Sequence, residues 1–272
     1  GYYNQWHAHT YYTHLFRNSK KVELNGRYTH HAIYDETIKF IKDNKDEPFF
    51  LYCPWTPPHA AYQIPKDEPA WQIYKDKPWG KDAKVAAAMD TLMDRQVGEI
   101  TALLKKLGIY ENTLMFFTSD NGAAKRFDGI HNSCGVMQGH KRSLNEGGIR
   151  VPMVVRWPGK IKLGTESNQP WYFPDVMPTL AEIAGVSKDV PKDIDGISVL
   201  PTLLGKGEQK QHEYMYWQFG VRAARSGKWK GIGKGGHLYL YDLSKDMAEK
   251  NDVSAKHPEI AAKFKHYITD GY

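Results

Sequence analysis

The chain has 272 residues, 41% of them hydrophobic, and its 37 Lys and Arg against 31 Asp and Glu give a formal charge of +6. That length and apolar content support a full core, indicating one large domain or a domain with an appendage and excluding a disordered tail. The basic residues are scattered among acids, which argues against a nucleic-acid partner and for an anionic small molecule or glycan. Stretches of about 18 apolar residues, the length needed to span a membrane, do not occur. The opening GYYNQWHAHT has neither the basic start nor the apolar stretch of an export signal. Cys53 and Cys134 lack metal-type spacing and leave the compartment open, as free thiols or as one bridge.

In chain order, residues 29–44 place Ile33, Thr37, Phe40 and Ile41 on one helical face. The apolar run PFFLYC (48–53) predicts a short buried strand after that helix. A longer amphipathic helix starts near Asp82, read as its N-cap, and carries Val85, Met89, Leu92, Ile100, Leu103, Leu104 and Leu107 on one face until Gly108. NTLMFFTSDNG then predicts a second strand, VPMVVRWPG a third, and FPDVMPTLAEIAG a helix ending at Gly185. The alternation predicts an α/β fold, a mostly parallel sheet sandwiched by helices, over residues 1–205. From about Glu213 the pattern changes to short aromatic strands, YMYWQF, RAARSGKWKGI and GHLYLYDL, with a final helix near 257–269. Residues 206–272 therefore read as a small antiparallel subdomain with one helix.

The strand at 114–118 ends on an acid and an amide, Asp120 and Asn121. Ligands of open parallel sheets sit beyond the carboxyl ends of the strands, and these two side chains offer hard oxygen donors to Ca²⁺ or Mg²⁺. Asp-Asn-Gly is equally ordinary turn chemistry. The proline-stiffened PWTPPHAAY would hold His59 at the same sheet edge if the two strands are parallel neighbours, where an imidazole can donate to an anion or act as a general acid. GHKRSLNEGGIRVP gathers Lys141, Arg142, Glu146, Gly147-Gly148 and Arg150 before a strand. The lysine is a point charge for an anion and the glycines permit close backbone approach, against the competing reading of a solvated basic loop. Between 62 and 82, Trp71, Tyr74 and Trp79 are mixed with lysines, a composition that suits stacking on sugar rings as well as ordinary packing.

PFFLYCPWTPPHAAY, AAMDTLMDRQVGEI, FFTSDNG, GHKRSLNEGGIRVPMVVRWPGKI and RAARSGKWK with LYLYDLSKDMAEKNDV together resemble the type I sulfatases, the arylsulfatases and glycan sulfatases of the alkaline-phosphatase-like superfamily. The resemblance covers nearly the whole chain. It implies hydrolysis of sulfate esters, with a sulfated glycan as the preferred substrate class. It implies Asp120 and Asn121 as the second half of a Ca²⁺ site, Lys141 as the lysine on the sulfate, and His59 as the histidine that bonds the sulfate and assists the leaving group. Arg126, His140 and Arg142 have weaker counterparts as substrate-binding residues. It further implies a formylglycine nucleophile made in a Cys/Ser-x-Pro/Ala-x-Arg motif, with a pair of metal-binding aspartates. Neither occurs here, since Cys53 opens CPWT and Cys134 opens CGVM.

Because GYYNQWHAH resembles mid-domain sulfatase sequence, the expectation is a C-terminal portion of a longer sulfatase. It would be partnered by the missing N-terminal part, inactive alone, and periplasmic, secreted or lysosome-like in the full-length protein. The alternatives are a phosphodiesterase or phosphomutase relative of the same superfamily, a noncatalytic module binding anionic glycans, and a subunit completed by a separate N-terminal chain.

Overall fold

The periodicity at 29–44 forms helix α1 (Thr29–Asp43), and the long amphipathic segment forms α3 (Lys81–Lys106). Between them lies the short helix α2 (Pro69–Tyr74), opened by Pro69, whose missing N–H costs nothing at that position. In the computed structural model, residues 14–24 and 26–269 are described, so GYYNQWHAH lies outside the described residues. Two units are distinguished by their internal contacts, Gly1–Thr113 and Leu114–Tyr272. None of the described helices is long and apolar enough to cross a membrane.

The first unit begins with a hairpin that the sequence did not announce, β1 (His14–Arg17) against β2 (Lys20–Glu23), antiparallel. Its turn runs through Asn18 at φ 52°, a conformation that Asn tolerates better than most residues. The core of this unit forms where the α3 stripe Val85, Ala88, Met89 and Leu92 packs on Tyr28, Ile64 and Ala70. Helix α3 starts one residue before the expected cap. Asp82 therefore sits in the first turn, where its charge complements the positive helix end. Gly108, at φ 73°, ends the helix as expected, its N–H donating to the Lys105 carbonyl at 3.0 Å.

The expected strand at 48–53 does not form. The run keeps a period of two, with Phe50 and Tyr52 70% and 72% exposed and the alternate residues turned inward. Phe49 stands edge-on to Phe40 of α1 at 5.8 Å, and Cys53 Sγ lies 3.6 Å from Thr37 Oγ1. Packing on α1 satisfies one side of this segment, but no strand among the described residues supplies the backbone partners that a sheet requires.

In the second unit β3 (Met115–Thr118) pairs antiparallel with β4 (Met153–Arg156), Phe117 opposite Val154. Phe116 turns toward Trp171, while Phe117 and Val154 remain 40% and 61% exposed on the other face. Helix α5 (Val176–Ile183) follows and ends at Gly185 as predicted, and α6 (Leu200–Leu204) comes after it. Buried Asp175 ties this region together, accepting from the Tyr172 N–H at 2.9 Å, the Ile197 N–H at 2.8 Å and His212 Nε2 at 2.8 Å.

The predicted antiparallel C-terminal sheet forms, but with four strands in a meander, β5 (Met215–Phe219), β6 (Val221–Ser226), β7 (Trp229–Lys234) and β8 (His237–Asp242), because the segment read as the single strand RAARSGKWKGI turns back at Gly227, φ 54°. Helix α7 (Pro258–Thr269) covers one face through Phe264, Tyr267 and Ile268 against Ala224 and Leu240. Gly231 lets this helix approach, since a Cβ there would stand 2.7 Å from Phe264 Cδ1. The opposite face carries Ala223, Ile232 and Tyr241, and packs against Leu144 and Ile149 of the loop before β4.

Buried His30, in α1, meets Gln96 of α3 through Nε2 and Oε1 at 2.6 Å. Burial pushes the imidazole down to about 4, against the smaller upward pull of the Gln96 bond. The unfolded chain takes up this proton as pH falls through about 6.5, and the folded unit resists until about pH 4. Stability from His30 is thus complete above that window and declines by roughly 3 kcal/mol across it. Denaturation midpoints of the wild type should fall between pH 7 and 4.5, and His30→Gln should flatten that dependence. An NMR titration placing His30 at its ordinary value would contradict this.

Candidate functional site

The site is assembled where three backbone segments meet after β3. The Gly122 N–H donates to the Gly148 carbonyl at 2.9 Å, the Lys141 N–H to the Ala123 carbonyl at 2.8 Å, and the Gly147 N–H to the Gln138 carbonyl at 2.8 Å. No side chain fits between them. A Cβ on Gly122 would lie 1.9 Å from the Gly147 oxygen, and one on Gly148 2.1 Å from the Ser143 oxygen. Glycine is therefore required here by approach, whatever its backbone angles.

This lacing brings Asp120 and Asn121 into the same loop cluster as His140, Lys141 and Arg142. Asp120 and Arg142 are exposed, and Asn121, His140 and Lys141 half-buried. Arg142 adopts φ 74°, a left-handed conformation costly for a side chain of its size and sustained by the surrounding bonds. His140 Nδ1 contacts the Lys141 carbonyl at 3.1 Å. Among the described residues neither the Lys141 ammonium nor the Asp120 carboxylate forms a salt bridge, so both charges stay available to a ligand. Arg126 is exposed on a short 3₁₀ turn (Lys125–Phe127) of the same unit.

His59 belongs to the first unit. It is half-buried, with Nδ1 at 2.7 Å from the Ala60 carbonyl and its backbone N–H donating to the Thr56 carbonyl at 3.0 Å. If Nδ1 donates there, the bond holds the ring in one orientation. The parallel strand pairing expected to set His59 beside Asp120 depended on a strand at 48–53, which is absent, and the partner found for β3 is antiparallel β4.

Asp120 and Asn121 suit Ca²⁺ in kind, being oxygen donors, but Ca²⁺ takes about six to eight oxygens. Among the described residues no three His, Cys, Asp or Glu side chains gather as a metal site. The aromatic loop is committed to packing rather than display. Tyr74 and Trp79 stack at 6.1 Å, Tyr74 shares a hydrogen bond with Thr91 at 2.9 Å, and Trp71 and Tyr74 rest on the first unit's core.

Sequence reasoning missed the buried charge cluster beneath the loop. Glu146, at the start of helix α4 (Glu146–Ile149), bonds Lys230 Nζ of β7 through Oε1 at 2.9 Å and Arg150 Nε through Oε2 at 2.8 Å. Glu249 lies 2.9 Å from the same ammonium, and its other oxygen accepts the Glu146 N–H at 2.6 Å. Burial alone would raise the Glu146 carboxyl, but the Lys230 charge and the Lys230 and Arg150 bonds outweigh it and leave the group below the ordinary range. One signal was legible. In β7, Lys230 alternates in phase with buried Ile232, a core-facing position where a lysine demands a partner.

The helices, the β3–β4 ribbon and the C-terminal antiparallel sheet have the alkaline-phosphatase-like α/β fold. The Sulfatase family model matches residues 1–186, and that of the N-sulphoglucosamine sulphohydrolase C-terminal region matches 138–270, so the chain belongs to the sulfatase family. It is 32% identical over 270 residues to an N-acetylgalactosamine-6-O-sulfatase of Bacteroides thetaiotaomicron, covering 87% of this chain and 49% of that protein. Steryl-sulfatase of Rattus norvegicus is 35% identical over 191 residues, covering 66% of this chain and 31% of the relative. The structure of Ps i-CgsB in complex with k-i-k-neocarrahexaose superposes with a TM-score of 0.81 at 30% identity, over 93% of this chain and 56% of that one. The chain thus spans between about a third and a little over half of these relatives' lengths.

The glycine contacts yield a test. Gly147→Ala sets a Cβ 2.4 Å from the Gly139 oxygen and should destabilise the second unit by ~1–3 kcal/mol. Gly98→Ala, on an exposed turn of α3 with nothing within 4 Å, should be neutral or stabilising. Urea denaturation compares the two, and equal stability of both variants would refute the packing.

Proposed function

We propose that this chain is the C-terminal part of a sulfatase that hydrolyses sulfate esters of a glycan, and that it supplies the charge clamp on the sulfate. In this reading residues 1–205 are the remainder of the catalytic α/β domain, and 206–272 its C-terminal subdomain. The observation that carries it is the loop cluster, in which Lys141 and Asp120, both without ion pairs among the described residues, are gathered by glycine-only backbone contacts in a member of the sulfatase family. The oligosaccharide bound by Ps i-CgsB and the N-acetylgalactosamine named for the Bacteroides relative favour a sulfated carbohydrate.

Each residue has a task set by its chemistry. Lys141 places an ammonium against the sulfate oxygens, where it offsets the charge that grows as the ester bond breaks. His59, its ring oriented by the Nδ1 contact with the Ala60 carbonyl, would hand a proton to the departing alcohol. Arg126, His140 and Arg142 line the approach as further donors to an anion. Asp120 and Asn121 would hold Ca²⁺ together with ligands from outside this chain. When present, Ca²⁺ supplies additional positive charge for the sulfate, and a formylglycine outside this chain supplies the nucleophile. The β3–β4 ribbon supports such completion, because each strand has an unpaired outer edge among the described residues and Phe117 and Val154 are exposed. In this reading the full-length protein is periplasmic, secreted or lysosome-like.

The test is turnover of an aryl sulfate and a sulfated N-acetylgalactosamine by the complete enzyme. Lys141→Ala should lose about 10²- to 10³-fold in kcat, Lys141→Arg less, and exposed Lys160→Ala little. The chain alone should bind Ca²⁺ weakly by calorimetry. Normal turnover by Lys141→Ala, or an equal loss in the Lys160 control, would defeat the assignment.

A further inference from the structure

We infer that Lys230 is a positioning residue for the sulfate-binding loop: through Glu146 and Glu249 it latches the loop at 138–150 onto the C-terminal sheet and so fixes where Lys141 stands. This rests on the role given to Lys141 above. Lys230 is fully buried on β7, on the sheet face turned away from α7, and reaches Glu146 Oε1 and Glu249 Oε1 at 2.9 Å each. Both carboxylates also hold the loop backbone or its neighbours. Glu249 Oε2 accepts the Glu146 N–H at 2.6 Å, and Glu146 Oε2 accepts from Arg150 Nε at 2.8 Å. Arg225 of β6 stands 3.7 Å from Glu146 Oε2 as a third cation beside the two carboxylates.

The other end of the loop is fastened to the same place. With its side-chain amide turned to donate, Gln138 bonds the Glu249 carbonyl at 2.8 Å and the Ala248 carbonyl at 3.1 Å. Glu249 itself sits at φ 51°, an uncommon angle that the bonds on both its carboxylate and its carbonyl sustain. Lys141 lies between these two anchors in sequence. The apolar contacts of Leu144 and Ile149 with the sheet hold the loop down, but such contacts are non-directional and tolerate sliding. Charge-assisted bonds fix direction and register. A buried ion cluster adds little net stability compared with an apolar replacement, and specifying one arrangement is a recognised use for it.

The experiment uses the complete enzyme, with turnover measured well below the unfolding temperature and amide hydrogen exchange measured in parallel. Lys230→Met removes the charge and keeps the stem. Glu249→Gln keeps an acceptor for the Glu146 N–H and leaves Lys230 paired with Glu146, so it should fold even if Lys230→Met does not. In the folded variants kcat should fall by about 10- to 100-fold with a smaller change in KM, since misplacing a charge by about 1 Å has that scale of effect. The Lys141, Gly147 and Gly148 amides should exchange at least about tenfold faster, while those of β6 and β7 keep their protection. Lys228→Ala, which breaks a half-exposed pair between the β6–β7 turn and Asp242 of β8 at 2.9 Å, should leave turnover unchanged. An impaired Lys141→Ala together with wild-type kcat and loop exchange in both latch variants would overturn the latch alone. A silent Lys141→Ala would overturn the functional reading, and the latch with it.

Discussion

Three strands of backbone meeting closer than a side chain's width are the constraint on which the site depends. Gly122, Gly147 and Gly148 each face a carbonyl oxygen at a distance that leaves no room for a methyl group, and backbone hydrogen bonds of 2.8–2.9 Å join these segments. Placing Asp120 and Lys141 in one loop cluster follows from that lacing rather than from any contact between their side chains. The half-buried and exposed charges can thus stay unpaired without disturbing the fold, because their positions are set by main chain.

Beneath that layer the loop meets a different kind of support. Burying Glu146, Glu249 and Lys230 together removes all three from water, and only mutual pairing makes this tolerable. The arrangement joins β7, the segment after β8 and the loop before β4. The C-terminal sheet is accordingly a platform with two unlike faces, one receiving α7 through glycine-assisted apolar packing and the other receiving the loop through the apolar contacts of Leu144 and Ile149 together with the Lys230 charge cluster.

Much of this was legible in the sequence wherever the determining contacts are local. Helices α1 and α3 carry their apolar stripes within a few turns, Gly108 and Gly185 stop their helices by left-handed geometry, and the short strands after Glu213 announce an antiparallel sheet, though not the turn at Gly227 that divides β6 from β7. What failed was pairing. The 48–53 run has the alternation of a strand, but a strand is defined by its neighbours, and one-dimensional pattern does not supply them. The hairpin of β1 and β2 was missed because its turn lacks the Asn-Gly signature and its residues are mostly polar. Of the site, Asp120, Asn121, Lys141 and the paired glycines were visible as a motif. Lys230 was not, since its partners lie 84 residues away in Glu146 and beyond β8 in Glu249.

The open edges of the β3–β4 ribbon bear on how such a protein reaches its folded form. Among the described residues the outer edges of β3 and β4 have no strand partner, and beside exposed Phe117 and Val154 such an edge can accept an extended segment of suitable register, including the same ribbon on another molecule. Covering it from within the same polypeptide is a first-order process, whereas edge-to-edge association is second-order in protein. The ratio of the two therefore shifts with concentration, so that dilution during folding favours the monomer and crowded synthesis favours aggregates.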